Sequence, residues 1–222
     1  MDFVVPLRLK PLELVAGRGH YERVIQAVLA AKRSVWIATA NLKELLIEPR
    51  VRMPGRRPDY RSVLETFDEL AQRGVELRIL HASLPSRPFR DEFDRHARLV
   101  RGGLELRMCP RVHLKTVIVD GALLYLGSAN WTGAGLGVKG EGRRNFELGI
   151  VSDDEQLLDQ VQAMFQAIWT GQPCASCRLR ESCEAPLDAA RDSSPASRSP
   201  APSAARGSSP APPAARRWRP GR

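Results

Sequence analysis

The chain has 222 residues, 43% of them hydrophobic, enough for one ordinary globular domain with extra segments. Its net charge of +9 favours a polyanionic partner, although residues 184–222 alone supply +4 and a plainly solvated surface is the competing reading. No apolar run nears the length of a membrane span and the first residues lack a basic-then-apolar leader, so a cytoplasmic protein with reduced thiols is expected.

Residues 1–19 read as mostly irregular, with Pro6 and Pro11 as breakers. Tyr21, Val24, Ile25, Val28 and Leu29 recur at helical spacing, which predicts an amphipathic helix over 20–32. Residues 34–40 follow as a buried strand. Asn41 and Lys43 lie near its exit, where ligands gather in open α/β sheets. Residues 44–60 read as a loop. Arg50, Arg52, Arg56 and Arg57 surround Pro54-Gly55 there and suit a phosphate-binding lip, with ordinary solvated arginines as the alternative. Ser62 and Glu65 form a capping-box pair opening a helix that stops near Gly74. Residues 75–80 predict the second strand and 88–101 a charged helix ended by Gly102-Gly103. Residues 104–108 are a third strand, leading through Cys109 and Pro110. His20, His81 and His96 have no ligand spacing to another His or Cys, and read as structural or surface residues.

Residues 113–130 organise the chain. Val117, Ile118 and Val119 form a β-branched run suited to a buried strand, Asp120-Gly121 signals a hairpin, and residues 123–126 return. Alternation along the strand puts His113 and Lys115 on one face, and Gly127-Ser128-Ala-Asn130 closes the returning strand. An imidazole, an ammonium, a hydroxyl and a carboxamide gathered at one end suit phosphoryl chemistry. Residues 131–144 hold five glycines and read as a flexible loop. Lys139, Arg143 and Arg144 there suit a rim that touches substrate. Residues 146–151 predict another strand. Ser152 and Glu155 form a second capping box before a helical stripe that ends near Gly171. The alternation of β and α predicts a mixed, mostly parallel sheet flanked by helices.

This chain resembles the phospholipase D superfamily, whose signature is His-x-Lys, four residues, Asp, six residues, Gly-Ser-x-Asn. Every position is matched, by His113, Lys115, Asp120, Gly127, Ser128 and Asn130. Arg144-Asn145-Phe146-Glu147-Leu148 is similar to the family's second conserved block, and residues 31–35 to the start of its fold. The resemblance covers roughly residues 10–170 and implies an α/β phospholipase D-like domain, drawn here as residues 1–171.

It also implies chemistry. His113 attacks phosphorus and becomes a phosphohistidine, while a second His113 protonates the leaving oxygen and then activates water. Lys115 and Asn130 hold the phosphoryl oxygens, Ser128 assists, and Glu147 orients the histidine. Asp120 belongs to the same catalytic signature, but is read as supporting the hairpin. Family members join two signature copies around one site and this chain has one, so a homodimer is implied. No cofactor is expected for catalysis. A nuclease, with nucleic acid as partner, is the first reading of substrate. The alternatives are a phospholipid phosphodiesterase or phosphatidyl transferase, and a non-catalytic nucleic-acid-binding module.

Residues 172–185 form a cysteine-containing segment. Cys174-x2-Cys177-x5-Cys183 has ligand-like spacing, with Cys109 as a remote fourth ligand, and suits a structural zinc or iron–sulfur cluster. Three exposed thiols and a buried Cys109 are the other reading. Residues 186–222 are rich in Ala, Pro, Ser and Arg. They cannot bury a core and are expected to be a disordered tail, with Trp218 among arginines.

Overall fold

The computed structural model of the chain describes residues 12–48 and 60–189. The four arginines of the expected lip, the tail beyond residue 189 and Trp218 lie outside those residues. Seven strands form one sheet: β1 (Glu13–Ala16), β2 (Ser34–Thr39), β5 (Glu76–His81), β6 (Glu105–Met108), β7 (Thr116–Val119), β8 (Leu123–Gly127) and β9 (Leu148–Ser152), in the order β1-β9-β8-β7-β2-β5-β6. A two-stranded piece, β3 (Leu46–Ile47) with β4 (Arg61–Ser62), stands beside it. The sheet is mixed. All strands but β7 and β9 point one way, yet only β2–β5 and β5–β6 are hydrogen-bonded in parallel. The two reversed strands turn the other ladders antiparallel.

Side-chain alternation divides the core between the two faces. Val35, Ile37, Leu77, Ile79, Val117, Val119, Tyr125 and Val151 point to one face. It is covered by the helical turns Tyr21–Ile25 and α1 (Gln26–Leu29), by α2 (Val63–Gln72) and by α3 (Arg87–Phe93). Ala38, Leu80, Ile118 and Leu124 face α4 (Glu155–Trp169), which buries Leu158, Phe165 and Trp169 against them. Among the described residues, no helix is long and apolar enough to cross a membrane.

Several expectations change in detail. Residues 13–16, read as irregular, form the edge strand β1, because their alternation meets a partner only in β9, far along the chain. The charged helix over 88–101 is two pieces, α3 and a π-helical turn at Leu99–Gly103, with Gly102 at φ 108° closing the second. The capping box at Ser62 and Glu65 is present. At α4 the cap is Asp154, which accepts from the Leu157 N–H at 2.9 Å, while Ser152 accepts from the Asp154 N–H at 3.0 Å.

The β7–β8 hairpin turns on Asp120 and Gly121, at φ 56° and 63°, the left-handed pair of a type I′ turn. Asp120 has a second task. Its carboxylate accepts from the backbone N–H groups of Lys32, Arg33 and Ser34, the last two at 2.7 and 2.9 Å. Burial works against its charge, but those three donors and the Arg33 guanidinium outweigh it and hold the carboxyl below its ordinary range. The folded-state pKa is depressed, so this stabilisation exists above the unfolded value near 4 and is lost as pH falls through the folded one. Asp120→Asn keeps the turn geometry and removes the charge. Discounted for solvent screening, it should cost about 1 kcal/mol at pH 7, with the difference from wild type vanishing in acid. Urea melts across pH 2–7 measure this; a pH-independent difference would refute it.

Candidate active site

β7 runs antiparallel to β2, so the residues that precede it stand where β2 and β5 end. β8 exits at that same end, and β9 enters there. His113, Lys115, Ser128, Asn130 and Glu147, scattered over 35 positions of sequence, are therefore gathered at one edge of the sheet. Asp120 is not among them. It sits past the far end of β7, about 16 Å of extended chain away from Lys115, and is a structural clamp.

His113 is exposed and Lys115 half-buried. The Lys115 Nζ lies 3.2 Å from both ring nitrogens of His113 and donates to the His113 carbonyl at 2.8 Å. Burial pulls the Lys115 ammonium below its ordinary pKa, and the Glu147 carboxylate opposes that shift. The Lys115 carbonyl accepts the Gly127 N–H at 3.1 Å, which ties the two signature segments together.

Asn130 is held from three sides. Its Oδ1 accepts from the Ala40 and Asn41 backbone N–H groups at 3.1 Å each and from the Thr39 hydroxyl at 3.3 Å. With the oxygen thus committed to the β2 exit, the Nδ2 donors are turned the other way. Thr39 also receives the Trp131 N–H at 2.9 Å, and the Lys43 N–H donates to the Trp131 carbonyl at 3.0 Å. The expected strand exit at Asn41 and Lys43 therefore adjoins the site through its backbone. Thr39 carries no sequence signal beyond its place in a strand.

Ser128 donates to Glu147 in a short hydrogen bond and accepts the Leu148 N–H at 3.1 Å. The Asn145 amide donates to the other Glu147 oxygen at 3.1 Å. Within this chain Glu147 is thus oriented by Ser128 and Asn145 rather than by a hydrogen bond to His113. Beneath it lies Tyr125, fully buried, its ring laid over Gly127 and Gly149 and its hydroxyl 3.3 Å from the Ala129 nitrogen. Burial pushes the Tyr125 hydroxyl up to about 12; the Ala129 N–H works against this and Glu147 reinforces it. His20 meets that ring edge-on at 5.5 Å. It is fully buried, with Nδ1 3.2 Å from the Gly17 carbonyl. Burial holds its pKa below the ordinary value although Gly17 and Glu147 pull it up. His20 is structural, as expected; its place under Glu147 rests on contacts across more than a hundred residues that no local pattern announces.

The Gly-rich segment is folded on itself rather than loose. The Leu136, Val138 and Lys139 N–H groups donate to Thr132 and Gly133, and Leu136 is buried. Its glycines serve close packing: a Cβ on Gly135 would lie 2.7 Å from the Asn130 carbonyl. Lys139 and Arg143 are exposed on this rim, and Arg144 is half-buried with its guanidinium over Gly17. Beside His113 opens a cavity of about 330 Å³, lined largely by apolar side chains including Val112, Leu114, Met164, Ile168 and Leu187.

The four cysteines also come together. Cys109, Cys174, Cys177 and Cys183 line one small pocket behind that cavity, all as free thiols. Among the described residues, no group of three or more His, Cys, Asp or Glu side chains is placed so that it could hold a metal ion.

The family model for the phospholipase D-like domain of cardiolipin synthase matches residues 24–169. No curated protein matches the chain. Among solved structures, NucT from Helicobacter pylori is similar at 16% identity and a TM-score of 0.48, over 70% of this chain and 93% of its own. Nuc from Salmonella typhimurium, a phospholipase D family member, is similar at 18% identity and a TM-score of 0.48, over 72% and 95%. A phosphatidylserine synthase from Haemophilus influenzae gives 17% identity and a TM-score of 0.47, over 71% and 37%.

Proposed function

The chain belongs to the phospholipase D-like family, and on that premise we propose that it is a nuclease that cleaves phosphodiester bonds at a site shared by two copies. The observation that carries this reading is the intact His113–Lys115 pair, placed at the strand ends beside Ser128, Asn130 and Glu147. An intact pair also argues against a module that only binds nucleic acid.

In the proposed reaction a ring nitrogen of His113 attacks phosphorus. A P–N bond forms as the P–O bond to the leaving group breaks. The partner's His113 gives its proton to that oxygen. The same imidazole then takes a proton from water, the hydroxide attacks phosphorus, and the P–N bond breaks to restore His113. Lys115 neutralises the phosphoryl oxygens and Asn130 offers its Nδ2 donors. One chain supplies one such pair, which is why the proposal needs a second copy. Phe146, fully exposed beside Glu147, together with exposed Leu14 and Leu148 on β1 and β9, offers an apolar surface next to the site that suits this role.

A phospholipid substrate is the second reading, favoured by the apolar cavity beside His113. The deciding experiment offers the full chain single- and double-stranded DNA, RNA and phosphatidylcholine in excess EDTA, with light scattering for mass. Cleavage of a nucleic acid by a dimer, undiminished by EDTA, is the expected result, because the lysines and imidazoles supply the cationic and acid–base groups. Turnover of phosphatidylcholine alone would select the second reading. Activity that vanishes with EDTA and returns with Mg²⁺, or a fully active monomer, would overturn the mechanism.

A further inference from the structure

We propose that Cys109, Cys174, Cys177 and Cys183 form a tetrathiolate metal centre that pins the segment after α4 to the strand end that delivers His113.

The gathering is a product of the fold. Cys109 lies more than sixty positions before the other three, yet all four line one pocket. Cys109 follows β6, where its N–H donates to the His81 carbonyl at 2.9 Å. The other three sit on a run of tight turns from Gln172 onward, docked by Leu187 against Val112, Phe165 and Trp169.

Local backbone geometry repeats at the sulfurs. The Cys109 carbonyl accepts the Val112 N–H at 2.9 Å, and the Cys177 carbonyl accepts the Arg180 N–H at 2.9 Å. In each turn the N–H two residues past the cysteine is aimed at its sulfur: Arg111 at Cys109, and Leu179 at Cys177. Two turns from separate parts of the chain thus present a sulfur with a backbone donor behind it, which is what a thiolate ligand needs. The Cys174 carbonyl accepts the Cys177 N–H at 3.1 Å, so that pair is also joined by a turn.

Charge is provided for as well. Four thiolates around Zn²⁺, or around a cubane iron–sulfur cluster, leave roughly two net negative charges. The Arg111 side chain faces Cys177, and Arg180 lies within electrostatic reach of Cys174 and Cys183. These two guanidiniums sit where that excess would fall. As they stand, the thiols line one pocket but are not placed so that they could hold an ion. A metal would draw the sulfurs in to about 2.3 Å, and the movement falls on short turns rather than on strands or helices. With four protein ligands the centre has no open position, so its work is structural. It would fasten the lining of the cavity beside His113, since Cys109, Cys174 and Cys177 border that cavity too.

The test uses the full chain, purified anaerobically, analysed for metal and then offered Zn²⁺ alone or Fe²⁺ with sulfide. The expected result is about one zinc, or about four iron with matching sulfide, per chain. Visible absorption separates the two, and X-ray absorption should show sulfur-only coordination. Cys109→Ser and Cys174→Ser should each lose most of the metal. If either variant fails to fold, stoichiometry and coordination of the wild type decide. Neither metal under any of these conditions, with four titrating thiols or with disulfides, would overturn the proposal. So would a metal fully retained by Cys109→Ser. None of these readouts depends on nuclease activity.

Discussion

His113→Asn is expected to abolish turnover while leaving the fold intact. In the proposed reaction the imidazole is nucleophile in one copy and acid, then base, in the other, so the loss should exceed the ~10²–10⁴-fold of a single acid–base group. The fold should not notice. His113 is exposed, and its ring meets the flexible end of Lys115. Kinetics on a small chromogenic diester, beside circular dichroism and a melt, make the measurement. Activity within tenfold of wild type in a folded variant would remove His113 from the nucleophile's place. If the site is shared as proposed, each step needs both imidazoles, so a mixed dimer of one wild-type and one His113→Asn chain should be nearly as inactive as a dimer of two His113→Asn chains.

The second large effect falls on stability. Gly149→Ala would put a Cβ 2.3 Å from the Tyr125 Cε2 and 2.9 Å from its Cζ. The ring is rigid, fully buried and closed in by His20, so it has no flexible end to yield. The cost should be about 2–3 kcal/mol, or roughly 5–10 °C in melting temperature for a chain of this size. A double-mutant cycle isolates the cause: the same substitution made in a Tyr125→Ala background should cost much less. An equal cost in both backgrounds would mean that the glycine is required for its backbone alone. The site would share the damage, since Tyr125 lies under Glu147 and its hydroxyl meets the Ala129 nitrogen between Ser128 and Asn130.

Much of the fold was legible because its signals are local. The β-branched run at 117–119, the Asp120-Gly121 turn and the Ser62–Glu65 box each declare themselves within a few residues, and the structure contains all three. The signature residues are near neighbours on one hairpin, so their assembly at one end follows from strand alternation. What stayed hidden is what depends on distant partners. Four residues of alternating character at β1 mean little until β9 lies beside them. Asp120 looks the same in sequence whether it does chemistry or accepts from backbone amides 86 to 88 positions away, and the geometry assigns it to the second. Asn130 belongs to the signature, but the Thr39 hydroxyl and the β2 exit that orient it come from a segment some ninety positions earlier. Glycines after Asn130 read as flexibility, because composition does not reveal which backbones will press against them.

The pairing of β1 with β9 also sets an order of events during synthesis. Ala16 pairs with Leu148, and Glu13 with Val151. At ribosomal rates of about 5–20 residues per second, β1 waits roughly 7–28 s for its partner to be made. Until then it is an unpaired strand carrying Leu14 and Val15, and the sheet can grow only from β2 outward. The last ladder to close is the one nearest Glu147, so a nascent chain has its His113–Asn130 segment in place before the Glu147 side of the site is locked. Any chaperone or neighbouring nascent chain that recognises a bare apolar strand has that interval in which to act.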